Sequence, residues 1–336
     1  MDARLIPLLQ LVAPATSLAL VLLLGRPVIA SLRKVGAVQR VRDDGPQRHL
    51  QKEGTPTMGG VLLLPAAVIA AVVGGLLAEL WSSVGGVLLP AVPSLVIGVT
   101  LAFAAIGLLD DGLKITRGRS LGLRARQKLA LQIAAATAFY LVMTWLVRDE
   151  LHVLKEMPTW RVFAQFALHG ALWTLVIVAT SNAVNLADGL DGLAAGLCTI
   201  AFLGLAAIGL ARQIQPVATL ALSLTGACLG FLWFNRHPAR VFMGDVGSLA
   251  LGAALAALGS WIGVWALIGV CLVPFIEEAS VIAQVISFKT TGKRIFKMSP
   301  IHHHFELSGW SEQRVVWTFW GVGAAAAVVT VWACLR

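Results

Sequence analysis

Long apolar runs separated by short polar segments constrain this chain more than any other feature of its sequence. Of its 336 residues, 58% are hydrophobic and only 13% are charged. An apolar run of about 20 residues is long enough to cross the hydrocarbon core of a bilayer as a helix. Because lipid offers no partner to backbone amides, a helix is the form in which such a run satisfies its own hydrogen bonds. The sequence therefore predicts an all-α, polytopic integral membrane protein.

The apolar runs give about ten predicted spans in a single transmembrane domain, residues 1–336. The ninth run contains Pro274 followed by Glu277 and Glu278, which predicts a bent or broken helix turned toward protein or water. The eighth run is interrupted by glycines, so we expect it to be short. The predicted spans are 5–30, 58–80, 91–109, 128–147, 166–184, 193–212, 216–234, 246–258, 261–288 and 313–335.

The positive charges predict an orientation in the membrane. Most of the 26 lysines and arginines fall in the loops after the first, third, seventh and ninth spans. Loops rich in these residues stay in the cytoplasm, so we expect both termini on the outer, periplasmic side. Met1–Ala30 lacks the basic start and the cleavage site of a signal peptide, and we interpret it as a retained helix. Basic residues spread over short loops suit anionic lipid or substrate, and they argue against a nucleic-acid partner.

Carboxylates cluster at the cytoplasmic ends of the predicted spans, in three motifs. Asp110 and Asp111 end the third span in LLDDGLK, residues 182–192 read NAVNLADGLDG, and Asp245 lies in FMGDVGS. Ionisable groups are costly in a membrane and mark function by default. Acidic, oxygen-rich loops suit a hard cation and phosphate chemistry. A solvated helix cap and a loop with Asx turns are the simpler alternatives.

Two further motifs extend the cytoplasmic face. In EGTPTMGG, residues 53–60, hydroxyls and backbone N–H groups precede a helix, where an anion binds readily; an ordinary capped helix start is the alternative. MSPIHHHFE, residues 298–306, holds three consecutive histidines. Three neighbours cannot all face one ion, and HExxH is absent, so we expect them to donate to phosphate oxygens. The absence of GxxxxGK[ST] argues against an ATPase of the P-loop kind.

Together these motifs closely resemble the phospho-N-acetylmuramoyl-pentapeptide transferase family, within the polyprenyl-phosphate N-acetylhexosamine-1-phosphate transferase superfamily. The resemblance covers nearly the whole chain: KEGTPTMGG, DDGLK, NAVNLADGLDGLAAG, FMGDVGSLALG and MSPIHHHFELSGWSE occur in the family's order. The chain departs from the family at Ala187, where a hydroxyl residue is expected, and we expect little consequence.

The resemblance implies a reaction and its partners. Phospho-MurNAc-pentapeptide would move from UDP-MurNAc-pentapeptide to undecaprenyl phosphate, giving lipid I and UMP, with Mg²⁺ as cofactor. The enzyme would be a homodimer in the bacterial inner (cytoplasmic) membrane, with its active site on the cytoplasmic face and with no nucleic acid involved.

The resemblance also implies catalytic residues. Asp245 would be the Mg²⁺ ligand, Asp110 would act on the acceptor with Asp111 in support, and His303 would belong to the catalytic group. Whether Asp110 deprotonates the lipid phosphate or attacks the β-phosphate itself stays open. The phosphate of the lipid acceptor already carries an anionic oxygen, so we favour direct attack by that oxygen on the β-phosphate in one step.

The substrate-binding residues follow from the same resemblance. Phe242 would stack on uracil, with Lys114 and Asp191 near the edge of the base. The nucleotide pocket would be lined by Asn182, Asn185, Asp188 and Asn235, and the sugar-phosphate side by Lys52, Thr57, His303 and His304.

Three rival functions remain from the sequence. One is a purely structural membrane scaffold, which would have no reason for five acidic residues converging on one side. A superfamily relative that transfers GlcNAc-1-phosphate to the same lipid is the nearest, and the histidine motif argues for the muramoyl substrate. A secondary transporter would place polar groups at the bilayer midplane, often in inverted repeats, whereas these carboxylates gather at one membrane face.

Overall fold

The computed structural model describes residues 5–38, 52–81, 91–117, 122–147 and 159–336. Several residues of the basic loop after the first span, Arg40, Arg42 and Arg48, lie outside these ranges. Within the ranges the protein is all-helical, as predicted, and one isolated β-bridge joins Val38 to Pro56. The helices are α1 Leu5–Lys34, α2 Gly60–Trp81, α3 Ala91–Arg117, α4 Ala125–Val147, α5 Thr159–Ala187, α6 Leu193–Ala211, α7 Gln215–Asn235, α8 Gly244–Ile262, α9 Val264–Val270, α10 Leu272–Thr291, α11 Ile301–Glu306 and α12 Glu312–Cys334.

Each predicted span coincides with one helix except the ninth, which covers α9 and α10. Among the described residues, fewer than ten helices meet the length of a membrane crossing. Eight helices of the described chain are long and apolar enough, and α9 with α10 makes a ninth if the bent pair is one span. For helix α2, Gly60–Trp81, this measure covers only the apolar residues Gly60–Leu76. The polytopic class is therefore confirmed, and the number of spans is eight or nine by this measure.

The predicted break in the ninth span is confirmed. Helices α9 and α10 meet at Cys271 and are bent by 84°. Pro274 is the third residue of α10. Proline has no backbone N–H, so it cannot donate the helical hydrogen bond to the carbonyl of Val270. In the first turn of a new helix that N–H is not needed, so the chain restarts there.

Helix α8 is the centre of the bundle, and the expectation that it is short is wrong. It runs for 19 residues, and its side chains from Val246 to Gly259 are buried, mainly against α3 and α5. Its glycines do not end the helix but let a neighbour approach: a Cβ on Gly252 would lie 2.5 Å from the Cα of Ser181 in α5.

A similar approach positions the acidic motifs. Gly107 of α3 lies so close to α8 that an added Cβ would collide with the backbone carbonyl of Asp245. Asp110 and Asp111 follow one turn later in α3, and Asp245 is in the first turn of α8. The close crossing of these two helices therefore brings two motifs more than a hundred residues apart to one place.

Candidate active site

Three aspartates form the centre of the candidate site. Carboxylate oxygens of Asp110, Asp111 and Asp245 all lie within 4.8 Å of one another. Asp110 accepts a hydrogen bond from the backbone N–H of Leu123 at 2.8 Å, and Asp111 accepts one from Val246 at 3.2 Å. We call these three residues the aspartate cluster. Its oxygens are the donor type that hard divalent cations prefer.

Two lysines compensate the charge of the aspartate cluster. Lys114 Nζ lies 2.6 Å from Asp110, 3.1 Å from Asp111 and 3.1 Å from Asp245. Lys128, from α4, contacts Asp245 Oδ2 at 2.8 Å. Three carboxylates at this separation repel one another strongly, and nearby opposite charge offsets that repulsion. The contact of Lys128 with Asp245 was not predicted from the sequence.

The end of α5 adds amide groups to one side of the cluster. Asn185 donates to Asp245 Oδ1 at 2.9 Å and to Ser248 Oγ at 2.8 Å, and accepts from Lys128 at 3.3 Å. Asn182 instead exchanges hydrogen bonds with Gln132 of α4. The structure thus joins Asn185 directly to the predicted metal ligand and gives Asn182 a partner on a neighbouring helix.

Asp188 lies beyond the end of α5, next to the aspartate cluster. Burial, and then repulsion from Asp245 and Asp111, raises the pKa of its carboxyl well above the usual range. A hydrogen bond from the backbone of Gly244 opposes this rise in pKa. Asp188 is therefore a group whose charge depends on what binds beside it.

A second polar cluster surrounds Lys52. Its Nζ lies 2.7 Å from Asp191 and 2.6 Å from Glu312, and Glu312 also accepts from the backbone N–H of Asp191 at 2.7 Å. His237 Nδ1 lies 3.0 Å from Asp191 Oδ2. We call these four residues the lysine cluster. Burial lowers the pKa of Lys52, but the carboxylates of Glu312 and Asp191 outweigh burial and raise it overall.

The lysine cluster adjoins the predicted nucleotide residues. Lys52 Nζ is 6.0 Å from the ring centroid of Phe242, which is half-buried. Asn235 is buried, accepts from the backbone of Gly192 at 3.1 Å and donates to the carbonyl of Val241 at 2.9 Å. Asn235 therefore holds the backbone of two predicted motifs together.

Glu312 and His237 were missed by the sequence analysis. Glu312 is the last residue of the MSPIHHHFELSGWSE motif, so a signal for it was present. For His237 the sequence offers no comparable signal, because the contact with Asp191 arises from the turn after α7.

Asp191, His237 and Glu312 also form the second group of described residues whose ligand atoms lie within 4.8 Å. Lys52 already lies against both of its carboxylates, and one of its three ligands is an imidazole. The aspartate cluster, with oxygens alone, is the better match to a hard cation.

The segment before α2 is joined to the Asp245 motif by its backbone. Phe242 donates to the carbonyl of Pro56 at 2.8 Å, and Gly59 and Gly60 donate to the carbonyls of Phe242 and Met243. Thr57 is buried, and its N–H donates to Ala37 at 2.8 Å. The expected free amides for an anion are therefore engaged within the protein, and a binding role for Thr57 stays a prediction.

The three histidines face three different partners, as their adjacency in the sequence requires. His302 is fully buried beside Glu277. His303 Nδ1 is 2.8 Å from Glu306 Oε2, and His304 Nδ1 accepts from the backbone of Lys297 at 3.2 Å. His303 and His304 are half-buried. His303 and His304 were predicted from the sequence as site residues, whereas His302 was not.

Known proteins are similar to this chain over most of its length. Residues 93–263, from α3 to the end of α8, match the model of glycosyl transferase family 4. Residues 52–64 match phospho-N-acetylmuramoyl-pentapeptide-transferase signature 1. A phospho-N-acetylmuramoyl-pentapeptide-transferase of Desulforudis audaxviator is 45% identical over 330 residues, 95% of this chain and 96% of that protein. Proteins of the same name from Bacillus mycoides and Bacillus cereus are 44% identical over 308 residues, 90% of this chain and 91% of theirs.

Proposed function

The chain belongs to the phospho-N-acetylmuramoyl-pentapeptide-transferase family, and on that premise we propose how its residues divide the work of making lipid I. Members of this family use UDP-MurNAc-pentapeptide and a polyprenyl phosphate held in the membrane. The acceptor in this case is undecaprenyl phosphate, and the products are lipid I and UMP. The observation that carries the proposal is the convergence of Asp110, Asp111 and Asp245 beside Lys114 and Lys128.

The family is one of divalent-metal-dependent transferases, and Mg²⁺ is the ion that we assign to the aspartate cluster. Asp245 would hold it, with Asp110 and Asp111 close enough to share its charge. When bound, Mg²⁺ supplies positive charge to the diphosphate of the donor. An all-oxygen donor set supports this choice over a softer metal.

Asp110 faces the reacting phosphates in this scheme. A phosphate oxygen of the acceptor attacks the β-phosphorus of the donor, and the bond from that phosphorus to the bridging oxygen breaks, so that UMP leaves with the electron pair. Phosphoryl transfer needs chiefly positioning and charge neutralisation. Asp110, fixed by Leu123 N–H and Lys114, orients the acceptor, and Asp111 holds the start of α8 through Val246.

The lysines next to the aspartates suit the phosphates better than the base. Lys114 contacts all three carboxylates, which supports a role at the diphosphate over the place beside uracil that the resemblance implied. Lys128 would act with it, since both ammonium groups lie within 3.1 Å of Asp245.

The nucleoside binds at the lysine cluster in our proposal. Phe242 would stack on uracil, and Asp191, Lys52 and Asn235 would shape the pocket around it. The half-buried ring of Phe242 and the proximity of Lys52 support this arrangement. Asn185 and Asp188 would then lie between base and metal, where the ribose and diphosphate would pass. Asn182 would complete the nucleotide pocket, and Thr57, His303 and His304 would contact the sugar-phosphate side.

The surroundings of the enzyme are also a proposal. The basic loops favour an active site on the cytoplasmic face of a bacterial inner membrane, with both termini periplasmic. One domain, residues 1–336, would carry the whole activity, and two copies would associate as a homodimer.

Asp245→Asn tests the assignment of the metal ligand. The change removes one negative charge but keeps the size of the side chain, so we expect UMP release to fall by roughly 100-fold or more, the loss of several kcal/mol of charge stabilisation. UMP release is measured with both substrates in Mg²⁺. Glu278→Gln, the same replacement of a carboxyl by a carboxamide in α10, is the matched control and should keep wild-type turnover. Wild-type turnover by a folded Asp245→Asn variant would refute the assignment.

A further inference from the structure

Helix α10 buries a stripe of polar side chains inside an otherwise apolar span. Glu277, Ser280 and Gln284 are 0%, 4% and 9% exposed. Their spacing of three, four and seven residues places them on one face of the helix. Burying such groups in a membrane protein is expensive unless they have partners and a purpose.

Gln284, at the C-terminal end of this stripe, holds the segment that leads to the histidines. Gln284 Oε1 accepts from the backbone N–H groups of Ile295 and Phe296, each at 2.9 Å. Its Nε2 donates to the carbonyl of Phe296 at 2.9 Å. The side chain therefore fixes the backbone of this segment against α10.

Glu277, at the N-terminal end of the stripe, contacts His302, the first of the three histidines. Glu277 Oε2 lies 3.1 Å from His302 Nδ1 and 3.4 Å from the backbone nitrogen of His302, and both side chains are fully buried. Within the described part of the chain, neither ring nitrogen of His302 has a partner in hydrogen-bond geometry. A carboxylate beside Nδ1 favours the tautomer with the proton on Nδ1, and leaves Nε2 as the acceptor.

The other edge of this imidazole lies against the Asp188–Gly189 turn that follows α5. A Cβ added to Gly189 would collide with His302 Nε2, so the ring lies directly against the backbone next to Asp188. On its other side, the ring of His303 is 4.1 Å away, centroid to centroid. His302 thus touches both a predicted catalytic histidine and the turn after α5.

We infer that Glu277 is a positioning residue: it fixes the imidazole of His302, and through it the Asp188–Gly189 turn and His303. The inference rests on the proposed function for its effect on turnover. A functional group must be held close to its productive geometry by neighbours that are themselves locked, and Glu277 is the charged neighbour that locks His302. The bent helix α10 thereby sets the geometry of the loop that it supports.

Glu277→Gln is the test, with Glu278→Gln as the matched control on the adjacent, half-buried position. Both variants lose one carboxylate of α10, but only Glu277 contacts His302. Hydrogen exchange of purified protein is followed by mass spectrometry in peptides that cover residues 183–192 and 298–306. We expect about tenfold faster exchange in both segments for Glu277→Gln, as for a local opening, and wild-type exchange for Glu278→Gln.

Turnover gives the second measurement. We expect Glu277→Gln to lower kcat roughly 10- to 100-fold, the effect typical of a partner that orients a histidine, with KM for the nucleotide donor little changed. His302→Gln should have a similar effect, and the double variant should be no slower than either single one, because the two residues act as a unit.

The outcomes separate this inference from the proposed function. Unchanged exchange in residues 183–192 for both Glu277→Gln and His302→Gln overturns the inference, whatever the turnover. Kinetic losses that multiply in the double variant overturn it too. A wild-type protein that makes no UMP refutes the proposed function, while the exchange data still decide whether Glu277 positions the loop.

Discussion

Asp188 illustrates at the scale of one residue how the site balances charge. Its carboxyl lies beside Asp245 and Asp111, and burial together with the negative charges of these two residues raises its pKa well above the usual range. A carboxyl in such a place is stable when protonated and unfavourable when ionised. The same residue would therefore respond to any cation that enters the aspartate cluster.

Asp188→Asn should remove a pH dependence of stability in the metal-free protein. The folded-state pKa of Asp188 is raised above its unfolded value near 3.8, so the folded state binds the proton more tightly. Its contribution is fully present below that unfolded pKa and is lost as pH rises through the folded pKa. With EDTA present, we expect the Tm of Asp188→Asn to exceed that of the wild type at pH 8 and the difference to shrink toward pH 4. An equal difference at every pH would contradict the raised pKa.

Single residues also mark the limit of sequence reasoning. The sequence placed Asp110, Asp111 and Asp245 on one membrane face from their motifs and from loop charges. It did not predict Lys128, because an apolar helix pattern does not reveal which neighbouring helix its one lysine faces. Glu312 and His302 both lie in a recognised motif, but their partners are 121 and 25 residues away in the chain, so the sequence did not reveal what they contact.

At the scale of elements, the crossing of α3 and α8 creates the site. The crossing depends on Gly107, which lies so close to the backbone of Asp245 that no side chain fits between the two helices. Backbone cannot move aside as the end of a flexible side chain can, so a larger residue must separate the helices. Glycines of α8 were interpreted from the sequence as signs of a short span, and their actual role is this kind of close approach.

Gly107→Ala should therefore disturb the aspartate cluster. Overpacking of this kind typically costs about 1–3 kcal/mol, and we expect a lower Tm together with at least a tenfold loss of UMP release. Gly98→Ala in the same helix is the matched control, because a Cβ there meets nothing within 4 Å. The control should be neutral or slightly stabilising, since alanine favours a helix over glycine. Equal behaviour of the two variants would show that the crossing tolerates a side chain.

The bent pair α9 and α10 shows what the sequence predicts well at this scale. Pro274 and the two glutamates predicted a bent or broken helix turned toward protein or water. The bend is present, and Glu277 is buried within the protein. The sequence could not assign the glutamates, because their partners come from another segment. The structure gives Glu277 a partner in His302 and leaves Glu278 half-buried on the same helix.

At the scale of the whole molecule, the apolar helices support two polar clusters, and both clusters lie at the same end of the bundle. The aspartate cluster joins α3, α4, α5 and α8, and the lysine cluster joins the turns after α5 and α7 to the start of α12. The segment of Pro56 to Gly60 connects the two through Phe242. In the proposed function, a nucleoside diphosphate would place its base at the lysine cluster and its phosphates at the aspartate cluster.

The release of UMP by the purified protein tests the central claim most directly. Undecaprenyl phosphate is supplied with UDP-MurNAc-pentapeptide or with UDP-GlcNAc, in Mg²⁺ or in EDTA. The account predicts UMP and lipid I from the muramoyl donor in Mg²⁺, and background levels with EDTA or with UDP-GlcNAc. No UMP from the muramoyl donor in Mg²⁺, or equal release from UDP-GlcNAc, would contradict it.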